Sequence, residues 1–155
     1  MTLELIEAAV DAVSTLLQAA VSAKVTELNA RYGDDITLVD PIAWYVGGYP
    51  TALPEQPSIA LVAVSWMPLT QRKANIDGET RIDIVTFVGG NELEDRFRRL
   101  CRYALGVIEM ARTGEHSSGY MIHITGPVAL TDVMDTPSFL QAIIVPVTAG
   151  LTESY

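Results

Sequence analysis

The sequence predicts an α+β fold: one mainly antiparallel sheet with two helices packed on it, a long N-terminal helix and a protruding β-hairpin. Three observations carry this. Apolar residues recur every three to four positions in two separate stretches. Short apolar or alternating runs lie between and after those stretches. The resulting order is helix, strands, helix, strands. The 155 residues fit a single domain, 1–155, with a core large enough to fold alone.

The first helix covers residues 2–32. Leu3, Ile6, Val10, Val13, Leu17, Ala20 and Leu28 form its apolar stripe. Glu4, Glu7, Asp11, Ser14, Gln18, Ser22 and Thr26 take the opposite face, and Gly33 is available as a left-handed stop. At 1.5 Å per residue the helix runs roughly 45 Å. A domain of this size does not need that length, so part of the helix is expected to pack on a neighbour.

A short strand over 36–39 is expected after "GDD". The segment "DPIAWYVGGYPTALPEQP" (40–57) then holds four of the eight prolines together with Trp44, Tyr45 and Tyr49. Proline removes amide donors and restricts the preceding residue, so this segment is not helical. "SIALVAVSWM" (58–67) is apolar on both faces, as a covered strand would be. "TRIDIVTFV" (80–88) alternates, with Ile82, Ile84 and Val88 on one side and Arg81 and Asp83 on the other. Between them "PLTQRKANIDGE" reads as the long polar tip of a hairpin, with Asp77 and Gly78 as the turn and Arg72 and Lys73 as its charge. "YMIHIT", "PVALTDV" and "FLQAIIVPV" supply the closing strands, with Pro146 marking an edge or a bulge.

The second helix begins in "GGNELEDRFRRLCRY", which starts at Gly89, and ends at Gly114. Asn91 is the expected N-cap, and Leu93, Phe97, Leu100, Ala104, Ile108 and Ala111 are the expected sheet-facing stripe. Four of the ten basic residues fall within seven positions here. Glu92 with Arg96, Glu94 with Arg98, and Asp95 with Arg99 are acid-to-base pairs four apart, each worth a few tenths of a kcal/mol. Only Arg102 lacks such an acid. The cluster therefore reads as a solvated helix face or a protein interface, not as a phosphate site.

The net charge of −9 opposes general binding to nucleic acid or to an anionic membrane. The N-terminus lacks a signal-peptide pattern and no unbroken apolar run spans a bilayer, so a soluble protein made in the cytosol is expected. The chemical inventory is sparse. His123 lies mid-strand, His116 lies in the loop "GEHSSG", and no His-x-x-x-His spacing marks a metal site. The single cysteine, Cys101, reads as a buried core thiol, and Asp132 and Asp135 read as turn residues. No catalytic residue, metal site or cofactor is expected.

The element order and the phrase "IDIVTFVGGNELEDRFRRLCRYALGVIEMA" resemble the tail terminator (tail completion) proteins of long-tailed bacteriophages. The resemblance implies a small α+β subunit that assembles into a hexameric ring in the virion. The ring caps the tail tube, stops its polymerisation and joins it to a head-completion or neck protein, while DNA passes through the lumen without specific binding. An acidic ring would let phosphates slide past. The family brings no catalytic residues.

Trp44, Tyr45, Tyr49, Arg72, Lys73, Arg98 and Arg102 are the residues placed at contacts with another subunit, the tail tube protein or the neck protein. Aromatics dominate interface hot spots, and a basic loop on an acidic protein seeks an acidic counterpart. The same residues also fit another head–tail connector or collar subunit. A small cytosolic enzyme or ligand-binding protein, with the three aromatics lining a pocket, is a further alternative.

Overall fold

The computed structural model describes residues 2–50, 56–72, 75–90, 92–114, 116–117, 120–132 and 140–151. Helix α1 (Thr2–Tyr32) is followed by β1 (Ala43–Gly47), β2 (Ser58–Arg72) and β3 (Asn75–Val88). Helix α2 (Leu93–Thr113) then precedes β4 (His116–Ser117), β5 (Tyr120–Ile124), β6 (Ala129–Asp132) and β7 (Gln141–Leu151). The fold is α+β, as the periodicities predict. One sheet runs in the order β1-β2-β3-β7-β5-β4, and β6 pairs with β7 beside β5.

Both helices cover the same face. Val10, Val13, Leu17 and Leu28 of α1 and Leu100, Val107 and Met110 of α2 share one core with Ile59, Leu61, Ile82, Ile84, Ile143, Val145 and Val147. Val21 and Val25 fill the gap left in the expected α1 stripe. Ser14, assigned to the polar face, is instead buried and accepts a hydrogen bond from Gln18 Nε2 at 2.8 Å. By length and composition, residues Ile6–Tyr32 would suffice to cross a membrane, yet this helix supplies the core residues just named. Gly33 stops it at φ 58°, a left-handed conformation that costs glycine little. On the opposite sheet face Ala60, Val85, Phe87, Leu140 and Ala142 form a second, smaller cluster, joined by Tyr45, Val62 and Ile144.

Three expectations are corrected by the structure. Residues 36–39 join no strand, for a reason given below. The prolyl segment is non-helical over its described residues, as expected, and contributes β1, which pairs parallel to β2 (Trp44 opposite Ile59). Hydrophobic patterning does not reveal such a direction. The hairpin tip is not a long loop: β2 and β3 stay paired out to Arg72 opposite Asn75, and Asp77 and Gly78 lie inside β3. His116 belongs to β4 instead of a loop.

Pro146 lies in a central strand, and the break in the sheet explains why. β5 pairs with residues 147–151 of β7 and β6 with residues 141–144, so the ladder on that side is interrupted at Pro146. Its carbonyl accepts from Thr125 N at 3.0 Å, and its missing donor points toward the same gap.

Candidate interaction surface

The four clustered arginines are placed by α2, which is turned from the expected orientation. Phe97 is 47% exposed and Leu93 67%, while Leu100 is fully buried. Cys101, expected in the core, is exposed. Leu100, Ala104 and Ala111 of the expected stripe are buried as read, and the inward face carries Arg96, Arg102, Tyr103 and Val107 beside them. The N-cap is Glu92 without a side-chain cap, and Asn91 lies outside the described residues. Gly114 ends the helix as expected, its N–H donating to Met110 O at 2.9 Å.

Two of the three expected local pairs form: Arg98 with Glu94 at 2.7 Å and Arg99 with Asp95 at 2.9 Å. The Arg96 guanidinium does not pair with the Glu92 carboxylate, although the Arg96 backbone N–H donates to Glu92 O at 3.0 Å. Its Nη1 donates to Gly90 O at 2.6 Å and its Nε to Gln141 Oε1 at 2.9 Å, and Gln141 Nε2 donates to Asp132 Oδ1 at 2.9 Å. That chain ties the glycine turn before α2 to the start of β7 and the end of β6.

Arg102, expected on a surface contact, is buried. Its guanidinium forks onto Asp34 at 2.8 and 2.5 Å and stacks 4.0 Å from the Tyr32 ring centroid. The Arg102 hydrogen bonds hold the Asp34 carboxyl at about 2, below the usual carboxylate range. This geometry also explains why 36–39 is no strand, because side chains satisfy its backbone. Arg102 Nη1 donates to Ile36 O, Arg99 Nη1 to Thr37 O, and Asn29 both donates to Leu38 O and accepts from Leu38 N. The Tyr103 hydroxyl accepts from Val39 N and donates to Val39 O at 2.6 Å. Residues 34–39 thus form a strap fastened to α1 and α2. Nearby, Glu109 of α2 takes both Lys24 (3.0 Å) and Arg31 (2.8 Å) of α1. The Arg31 bonds, then the Lys24 bond, lower the Glu109 carboxyl to about 2.

Of the four arginines, only Arg98 belongs to the solvated face. The others fasten the chain to itself, and none is left to hold a phosphate.

The aromatic segment divides. Trp44 is half-buried against the main core and Tyr45 against the smaller cluster. Tyr49 is exposed, and partial burial followed by the Asp83 carboxylate pushes its hydroxyl up. The three therefore line no common pocket. Ile42, Val46 and Tyr49 are all exposed at or beside β1, the last strand on its side of the sheet among the described residues.

The hairpin protrudes. β7 follows β3 only as far as Glu79, opposite Gly150, so among the described residues 68–72 and 75–78 pair only with each other, as a two-stranded ribbon roughly 16 Å long. Arg72 is the last residue of β2, and Lys73 lies outside the described residues. At the ribbon's base the Trp66 ring lies over Gly78, where a Cβ would come within 2.5 Å of it. Gly78 is there for that ring and not for a turn, as an aromatic shielding a strand glycine.

Among the described residues no group of three His, Cys, Asp or Glu side chains could hold a metal ion. A cleft of about 470 Å³ gathers Asp34, Asp35, Glu92, Glu94 and Asp95 with Arg98. A second, of about 370 Å³, lies between α2 and β5 and is lined by Ile108, Ile122, Ile124, Arg112 and His123. Neither sets a nucleophile beside a base.

No family model and no curated protein matches the chain. One solved structure, titled with a sequence label alone, aligns with 92% of this chain and 97% of its own at 12% identity and a TM-score of 0.41. A likeness that distant carries no argument about function.

Proposed function

We propose that the chain is a structural ring subunit of a phage tail, the tail terminator that caps the tube and joins it to the neck. One observation supports this above the rest. The sheet ends in an uncharged edge strand, β1, with exposed Ile42, Val46 and Tyr49 beside it, while a ribbon projects beyond the sheet. Soluble domains ordinarily blunt such edges, so surfaces like these belong to a protein that works in an assembly. The net charge of −9 suits a lumen that DNA must traverse without adhering. Subunit contacts are assigned to the β1 edge with Tyr49, tail or neck contacts to the ribbon with Arg72 and Lys73, and Arg98 lies on the outer helix face. Arg102 acts inside the subunit.

The test is the state of the purified chain and its effect on tube ends. Native mass spectrometry and negative-stain images should show closed rings with a lumen, and added rings should halt tube growth. Changing Arg72 and Lys73 together to Glu should leave rings intact and abolish capping or neck joining. A chain that stays monomeric and leaves tube length unchanged overturns the reading.

A further inference from the structure

We infer that β1 of one copy adds as a strand to the free edge of β5 on the next, so that neighbouring sheets join head to tail. This rests on the ring reading and names the contact that would build the ring. Edge strands are normally protected by charge, proline or a covering element. β1, with the sequence Ala43, Trp44, Tyr45, Val46, Gly47, has no charge and no proline. At the other end of the sheet β4 covers only Tyr120 and Met121 of β5, leaving residues 122–124 without an outer partner among the described residues.

Strand direction favours the match. β1 runs parallel to β2, and each later step, from β2 to β3, β7 and β5, is antiparallel. β1 and β5 therefore point in opposite directions. Setting one copy beside the next in the same orientation produces an antiparallel ladder over residues 122–124. A contact between two different patches closes into a ring when its rotation closes.

Side-chain chemistry agrees. Below the β5 edge lies the groove floored by Ile108, Ile122 and Ile124 and rimmed by Arg112 and His123. Arg112 has no ion pair among the described residues. β1 brings exposed Ile42 and Val46, and its approach carries exposed Asp35 and Asp40, which likewise lack ion pairs among the described residues. Apolar meets apolar and acid meets base. A two-fold pairing of β1 with itself would instead bring those aspartates toward their own copies.

Disulfide trapping tests the contact in a Cys101→Ser background. Val46 pairs with Leu61 and Ile124 with Val147, so both side chains share the helix-covered face. Within one chain four strand spacings of about 4.8 Å hold β1 and β5 roughly 19 Å apart, whereas a disulfide needs Cα atoms within about 7 Å. The chain carrying Val46→Cys and Ile124→Cys should therefore form covalent multimers under mild oxidation, while each single-cysteine chain should not. Val46→Lys, half-exposed and outside the core, should leave the far-ultraviolet circular dichroism spectrum of the folded chain unchanged and shift the native mass from ring to monomer. Rings that form without cross-links, that survive Val46→Lys, or that cross-link through Val46→Cys alone would refute this contact and leave the ring reading standing. A wild-type chain that is monomeric would refute both.

Discussion

Truncating Leu100 and Phe97 separately tests how α2 is rotated, because the two lie three residues apart on the stripe read from the sequence and end in opposite surroundings. Leu100 is 0% exposed, packed in the core shared by both helices and the sheet. Leu100→Ala removes buried methyl and methylene groups and leaves a cavity that the sheet behind it cannot collapse into, costing ~2–5 kcal/mol. Phe97 keeps 47% of its surface in water. Complete burial of such a side chain is worth ~1.5–3 kcal/mol, so Phe97→Ala forfeits about half of that, near 1 kcal/mol. For a chain of this length each kcal/mol moves the melting temperature by about 2–4 °C. Thermal and urea unfolding followed by circular dichroism should thus show a drop near 10 °C for Leu100→Ala and only a few degrees for Phe97→Ala, at one subunit concentration so that assembly contributes equally. Equal losses, or a larger loss at Phe97, would mean that α2 presents the other side to the sheet.

Two further outcomes follow from the ribbon base and the ion pairs. Gly78→Ala puts a methyl where the Trp66 ring lies, so the ring must move or the strands must part, at a cost of ~1–3 kcal/mol. In a Trp44→Phe background, Trp66 emission should shift to the red; unchanged emission would refute the stacking. The Asp34 and Glu109 carboxyls sit near 2 in the folded chain, below their ordinary values. Their contribution is therefore complete above the normal carboxylate range and is lost as pH falls from there toward 2. Glu109→Gln should lower stability at neutral pH and flatten that acid limb, and an unchanged acid limb would count against the Arg31 and Lys24 pairing.

The sequence by itself determined the coarse order of helix, strands, helix, strands, both helices and their glycine stops, and the faces of β3, because local periodicity and backbone preference act within a few residues. It also determined the Glu94–Arg98 and Asp95–Arg99 pairs, which need only one helical turn. Tertiary structure decided everything that depends on a distant partner. The expected strand at 36–39 became a strap because Asn29, Arg99, Arg102 and Tyr103, from 9 to 66 positions away, satisfy its backbone. β1 took a parallel place at the sheet edge, a choice of direction that patterning does not encode. Gly78 reads as a turn residue until Trp66 is seen across the ladder. The rotation of α2 was hidden for the same reason: buried Arg96 and Arg102 look solvent-facing in one dimension, and only their partners Gly90, Gln141 and Asp34, supplied by the fold, allow those charges to turn inward and leave Phe97 in water.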